Sequence, residues 1–361
     1  MHKINRRKFF QSAAALPAGA YLAGKLNLIS ESSQAAYNSP ADVRLEIDLK
    51  NIDYNINTIS KWVKDRPVMA VIKANAYGHG VVEVGKYLDK KGIHSLAVGK
   101  LAEALELRKA EVKCPVLNFG PYSKKDAEII ARENISQSVY NDNILYLNEA
   151  AKKLNRQAKV HIKIDTGLGR VGIPYHAAFE FVEKVSKLSN IKIEGIFTTL
   201  TEDEEFDSVQ IERLIKICGD SEKNGINVGL KHAASSAGVL SYPDAHLDLV
   251  RPGITIYGHY PSDKEYDLKR IDLKPAMSLK TTVSCVKKLR KGDAVSYHRA
   301  FVAEKEEWVT TGAIGYSDAF PVNAPGNAHA LINGKKYPLV ALVTSNHISV
   351  KLGDDDSVKV G

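Results

Sequence analysis

Between residues 44 and 258, short apolar runs alternate with stretches whose apolar positions recur at helical spacing. The runs fall at residues 68–72, 95–98, 116–119, 136–140, 160–164, 193–198, 228–231 and 247–250. Most are flanked by polar or turn residues, as expected of strands buried on both faces in a parallel sheet. Amphipathic stretches such as residues 101–107 and 209–219 separate most of them. Eight strand–helix repeats of this kind predict an α/β fold of the (β/α)8 barrel type. A doubly wound sheet is the alternative, but no G-x-G-x-x-G follows any of the runs. After Pro275 the texture changes. Residues 281–287, 308–314, 337–344 and 348–352 are β-rich, with turn residues at Lys291-Gly292-Asp293 and Asn333-Gly334 between runs. That predicts a second, all-β domain. The expected boundaries are residues 44–270 for the barrel and 275–361 for the β domain.

Composition narrows the class. A chain of 361 residues, 44% hydrophobic and 25% charged, is globular and exceeds what one core usually serves. No apolar run is long enough to span a bilayer, so no stable membrane anchor is expected. The net charge of +8 raises the question of nucleic acid, but Lys3, Arg6, Arg7, Lys8 and Lys25 against Glu31 supply half of it. No basic cluster with interleaved aromatics follows, so no nucleic-acid partner is expected. Cys114, Cys218 and Cys285 stand far apart with no C-x-x-C pair, and neither a disulfide framework nor a metal site is expected. The arginine pair precedes Phe9-Phe10, an Ala/Gly/Leu stretch and small residues at positions 33–36. Residues 1–36 therefore resemble a twin-arginine signal, which predicts a periplasmic protein, with the cytoplasm as the alternative.

The candidate chemistry lies just past the predicted strands, where barrel enzymes carry it. Lys73 closes the first apolar run and is followed at once by Asn75, Tyr77, Gly78, His79 and Gly80. A partly buried lysine has its ammonium form disfavoured, which frees the amine for Schiff-base chemistry. A lysine snorkelling from a strand end is the plainer alternative. Lys163, Asp165 and Arg170 bracket a Gly-rich turn after the fifth run, Ser235 and Ser236 follow the seventh, and Arg251-Pro252-Gly253-Ile254 follows the eighth. Serines and backbone N–H groups near Gly253 suit a phosphate, although adjacent serines also serve as helix caps.

These motifs, with Val295-Ser296-Tyr297 and Gly315-Tyr316-Ser317-Asp318, resemble in order those of the alanine racemases. The resemblance runs from about Arg44 to the end of the chain. It implies a fold-type III pyridoxal phosphate enzyme, with a cofactor-binding TIM-type barrel followed by a C-terminal β domain. By resemblance, Lys73 carries the cofactor as a Schiff base, and Tyr77, Ser236, Gly253 and Ile254 hold its phosphate. Arg251 faces the pyridine nitrogen, and Arg170 and Lys163 shape the substrate carboxylate region. Tyr297 is the second catalytic base, delivered from the other subunit of a homodimer. The activity implied is interconversion of L- and D-alanine by a two-base Lys/Tyr mechanism, supplying D-amino acids.

The chain departs from the family pattern at several places. Thr199 stands where a histidine is usual, Ser235 where an asparagine is usual, and Ser345 and Asn346 where Met and Asp are expected beside the substrate carboxylate. Loss of bulk and of a negative charge there is compatible with amino acids other than alanine. The chain also stops where relatives continue, so the β domain is expected to be incomplete. Two rival readings follow from these departures: an exported, non-catalytic homologue that binds the cofactor or an amino acid, and another fold-type III lyase or decarboxylase.

Overall fold

The computed structural model describes residues 43–361, so the leader expected over residues 1–36 lies outside it. The described chain forms two compact units, residues 44–280 and residues 281–361 with Val43.

The larger unit opens with β1 (Arg44–Ile47) and α1 (Leu49–Trp62). Asp48 caps this helix by accepting the N–H groups of Lys50 and Asn51, and its buried face carries Ile52, Ile56 and Ile59 at helical spacing. The parallel strands follow as β2 (Met69–Val71), β3 (Ser95–Val98), β4 (Val116–Asn118), β5 (Ser136–Val139) and β6 (Ala158–Asp165). A short β7 (Ile173–Pro174) pairs only with β6, and then come β8 (Ile191–Phe197) and β9 (Leu230–His232). Each main strand pairs in parallel with the next, in sequence order. Between them run α2 (Val81–Lys90), α3 (Leu101–Lys109), α4 (Lys124–Arg132), α5 (Ile144–Lys153), α6 (Ala178–Ser186) and α7 (Glu204–Lys223), and the short α8 (Ser236–Ser241) follows β9.

The parallel barrel closes at Val68, which bridges in parallel to Val250. The Met69 N–H donates to the Val250 carbonyl at 2.9 Å, and the Val71 N–H donates to that of Pro252 at 3.0 Å. On the other flank the Asp248 N–H donates to the Lys231 carbonyl at 3.1 Å. The strand expected over residues 247–250 is thus reduced to a bridge. Pro252 follows almost at once, lacking a donor and restricting the residue before it. Ile, Val, Leu and Ala side chains from strands and helices fill the core. Beyond the barrel, β10 (Met277–Lys280) returns to pair antiparallel with β1, a pairing absent from the sequence-based expectations.

The smaller unit is all-β. It holds β11 (Val283–Leu289), a small ribbon of β12 (Ala294–Val295) with β13 (Phe301–Val302), then β14 (Glu307–Gly312), β15 (His329–Ile332), β16 (Lys335–Val340) and β17 (Ile348–Gly353). Its five-stranded antiparallel sheet runs β11-β14-β17-β16-β15, over a core that includes Ile314, Tyr337, Leu339, Ile348 and Val350. Asn333-Gly334 turns β15 into β16 with both residues at positive φ, as a tight two-residue hairpin requires. Among the described residues no helix is long and apolar enough to cross a membrane.

Candidate active site

Past β2 the backbone does something L-residues resist. Ala74, Asn75, Ala76 and Tyr77 have φ of 55°, 54°, 54° and 52°, a complete left-handed turn that Gly78 ends at φ 86°. Each such residue costs about 1–2 kcal/mol, so the turn has to be held from outside. The Asn75 N–H donates to Glu103 Oε1 at 2.9 Å, and Asn75 Oδ1 accepts the Val81 N–H at 2.8 Å. The turn carries Lys73 and Tyr77, and both line one cavity of about 530 Å³ at the carboxyl ends of the strands.

Lys73 is exposed within the unit rather than partly buried as expected, because it lies in the turn beyond the strand and not on it. The buried amine is Lys163 on β6, only 7% exposed. Burial, reinforced by the Arg251 and Arg170 guanidiniums, pushes its pKa well below the ordinary lysine value. Its Nζ donates to the Thr199 hydroxyl and lies 4.5 Å from the centre of the Phe197 ring. Thr199 thus occupies a position that couples directly to Lys163.

Arg251 is 5% exposed and held by three hydrogen bonds from its two terminal nitrogens. Its Nη2 donates to the carbonyls of Thr198 at 2.7 Å and Ala233 at 3.1 Å, and its Nη1 donates to His232 Nδ1 at 2.7 Å. Arginine has only donors, so His232 Nδ1 is an acceptor and the His232 proton sits on Nε2. That nitrogen lies 2.9 Å from His161 Nδ1, to which it donates. Burial, then repulsion from Arg251, holds both imidazoles neutral, with the His161 pKa lowered to about 3 and that of His232 also far below its usual value. Burial draws the Arg251 pKa down to about 9, which leaves the guanidinium charged at neutral pH. The Phe197 ring stacks on His232 at 4.8 Å, and a Cβ at Gly195 would fall 2.4 Å from His161 Nδ1. Strand, ring and histidine pair therefore fix the guanidinium from behind.

The far wall is built for oxygen. Ser235 holds the N-cap position of α8, but its side chain makes no capping bond. Ser236 Oγ instead accepts the Gly253 N–H at 2.9 Å and lies 3.1 Å from the Thr255 hydroxyl. A Cβ at Gly253 would approach the Tyr77 hydroxyl to 2.6 Å, so only glycine leaves that hydroxyl its place. Ile254 opens the 3-10 turn Ile254–Tyr257 beside it. Arg170 ends the turn after β6, in which Asp165 Oδ1 accepts the N–H groups of Gly167 and Gly169, each at 3.0 Å.

Eight of the eleven residues singled out from sequence therefore meet in one cavity: Lys73, Tyr77, Lys163, Arg170, Ser236, Arg251, Gly253 and Ile254. Tyr297, Ser345 and Asn346 belong to the smaller unit. Tyr297 is 70% exposed in a turn between Ser296 and His298, both at positive φ. The Ser317 N–H donates to the Ser345 carbonyl at 3.0 Å, and Asn346 Nδ2 donates to Ser317 Oγ at 2.9 Å. Sequence reasoning missed His161, Phe197 and Glu103, and gave His232, just past the seventh run, no role. A signal existed for the first: His161 and Lys163 alternate with isoleucines along β6, which places two polar side chains on one face of a buried strand. Among the described residues no group of three or more His, Cys, Asp or Glu side chains is placed to hold a metal.

Comparison with known proteins agrees with this geometry. Residues 47–261 match the family model of the alanine racemase N-terminal domain, and residues 276–361 match that of the alanine racemase C-terminal domain. The chain is 38% identical to alanine racemase 1 of Clostridium acetobutylicum over 322 residues, covering 88% of this chain and 83% of that one. It is likewise 38% identical over 323 residues to the alanine racemase of Methanococcus maripaludis, covering 88% and 86%. Among solved structures, alanine racemase from Clostridium difficile 630 superposes with a TM-score of 0.82 at 34% identity, over 90% of this chain and 86% of that one. The Bacillus anthracis alanine racemase with bound L-Ala-P does so with a TM-score of 0.77 at 30% identity, over 90% and 85%. In both its domains and over most of its length, the chain belongs to the alanine racemase family.

Proposed function

We propose that this chain is a pyridoxal phosphate-dependent alanine racemase. The observation that carries the reading is one cavity joining an accessible amine, an oxygen-binding wall and a buried guanidinium. The residues fit the cofactor. Gly253 leaves room that a Cβ would fill against the Tyr77 hydroxyl, and Ser236 and the start of the 254–257 turn add hydroxyl and N–H groups suited to its phosphate. Lys73 would supply the amine that holds its aldehyde group, and Arg251 would lie beside its ring. When bound, pyridoxal phosphate supplies an electron-withdrawing ring that acidifies the substrate Cα–H.

The chain's own groups then set the outcome. Racemisation needs a proton removed on one face of Cα and delivered on the other, the work of Lys73 and Tyr297 acting as opposed bases. Arg251, charged at neutral pH and reluctant to give up its proton, would leave a ring nitrogen beside it unprotonated and so favour return of the proton to Cα. Arg170 receives the substrate carboxylate, with Lys163 behind it. The exposure of Tyr297 fits a homodimer in which it serves the partner's cavity. Ser345 and Asn346, smaller or less charged than the residues usual in the family, fit a substrate range beyond alanine. The arginine pair at Arg6 and Arg7 supports export, with the periplasm as the working place.

Solvent deuterium exchange at Cα tests the reading. Purified protein with added cofactor is offered L-alanine, L-serine, L-lysine and L-arginine separately. Exchange with inversion on alanine is expected, and its absence on all four overturns the proposal. Lys73→Ala should lose the yellow, borohydride-reducible form of the bound cofactor. For export, a reporter fused to residues 1–36 should be transported until Arg6 and Arg7 are both replaced by lysine.

A further inference from the structure

We propose that Glu103 is the positioning residue for Lys73, a single carboxylate that holds the left-handed turn in place; this rests on the assignment of Lys73 as the cofactor-bearing amine. Glu103 is the third residue of α3 and is 9% exposed. It touches neither Lys73 nor the oxygen-binding wall through any bond. What it does is join two loops. Oε1 accepts the Asn75 N–H at 2.9 Å, in the turn after β2. Oε2 accepts the N–H groups of Gly99 at 3.0 Å and Lys100 at 3.1 Å, in the turn after β3.

The physical case rests on what the turn lacks. Four consecutive L-residues in the left-handed region do not hold that conformation by themselves. The Ala76 N–H reaches the Ile72 carbonyl at 2.9 Å, and the Gly78 N–H those of Ala74 and Asn75 at 3.1 and 3.0 Å. These bonds close the turn on itself but do not fix its direction relative to the barrel. Besides its carbonyl, which accepts the Gly80 N–H at 3.0 Å just past the turn, Asn75 makes two contacts that reach outward. Its side chain accepts from Val81, which ties the turn only to the helix that follows it in the chain. Its N–H finds Glu103, which belongs to the neighbouring strand–helix repeat. A carboxylate accepting three N–H groups is a strong, directional clamp. Gly99 completes the fit: a Cβ there would lie 3.3 Å from Lys73 Cβ, so the clamped loop also forms the surface against which the lysine stem rests.

The prediction separates positioning from folding. Glu103→Gln keeps the size but turns an amide NH2 toward at least one N–H, breaking one side of the clamp. The cofactor-free variant should melt cooperatively, close to the parent. Loading of pyridoxal phosphate onto Lys73, read by borohydride reduction and intact-mass and peptide analysis, should slow about tenfold or more. In the loaded variant kcat should fall about 10- to 100-fold while KM for alanine changes little, as expected when an orienting contact is lost. Ala74→Gly added to Glu103→Gln should recover part of the loading rate, since glycine accepts the left-handed region freely. Glu106→Gln, on the exposed side of the same helix, should change nothing. Loading and kcat at parental levels in Glu103→Gln would overturn the proposal. Should the variant fail to fold, amide exchange in the parent protein decides: Asn75, Gly99 and Lys100 protected together supports the clamp, and a freely exchanging Asn75 overturns it. If the parent itself loads elsewhere than Lys73, the functional assignment fails instead, a different result from any of these.

Discussion

At the scale of single residues, the site is a set of groups whose protonation and room are decided by neighbours. Lys73 and Lys163 have the same chemistry and opposite surroundings, one in an open turn and one enclosed beside two guanidiniums. Sequence reading found both lysines but assigned the buried environment to Lys73, because a lysine closing an apolar run reads as part of the strand. The run ends at Ile72, and the turn that follows has no sequence signature beyond Asn75 and the glycines. Gly253 offers a sharp residue-level prediction. Gly253→Ala would bring a methyl into the space of the Tyr77 hydroxyl, and such overpacking costs about 1–3 kcal/mol. Cofactor affinity, measured by fluorescence titration, should weaken about tenfold or more, with the far-ultraviolet dichroism unchanged.

At the scale of elements, seven of the eight expected barrel strands appear within a few residues of their predicted places, because buried parallel strands leave continuous apolar runs. The eighth dwindles to the Val250 bridge, and its apolar run could not reveal that Pro252 would cut it short. The β1–β10 pair escaped notice for another reason: its residues are half exposed and more than two hundred positions apart, so neither periodicity nor proximity marks them. The loop between β8 and α7 shows how an element end is fixed. Asp203 caps α7 by accepting the Phe206 N–H at 3.0 Å, and Asp207 accepts both the N–H and the hydroxyl of Thr201, at 2.9 and 2.8 Å. Asp203→Ala should lower stability by about 1 kcal/mol in urea unfolding, the usual worth of such a cap. Asp207→Ala should cost more, since it empties a buried position and takes the acceptor from the Thr201 hydroxyl, while the Thr201 N–H keeps Gln210 Oε1 at 2.9 Å.

At the scale of the whole molecule, buried bases couple folding to pH. The pKa values of His161, His232 and Lys163 are all lowered by folding, so the unfolded chain binds protons that the folded one does not. Stability therefore rises with pH. The histidine contribution is fully present above about 6.5 and drains away below it, down to about 3 for His161, each group adding a slope of about 1.4 kcal/mol per pH unit. Urea midpoints measured from pH 8 to 5 should fall steadily, and more gently in His161→Gln once its own baseline is subtracted. Closure of the barrel carries a further consequence. Lys73 and Tyr77 follow the first strand, while Arg251, Gly253 and Ile254 follow the bridge that meets it. These two parts of the cavity lining, far apart in the chain, are brought side by side at the Val68–Val250 seam. A ligand that grips both sides acts as a hoop around the barrel, adding about 2.7 kcal/mol at a hundred times its Kd. Cofactor uptake would then report the last step of assembly, and a chain shortened to end before Val250 would keep its lysine yet lose Arg251, Gly253 and Ile254 from the facing side.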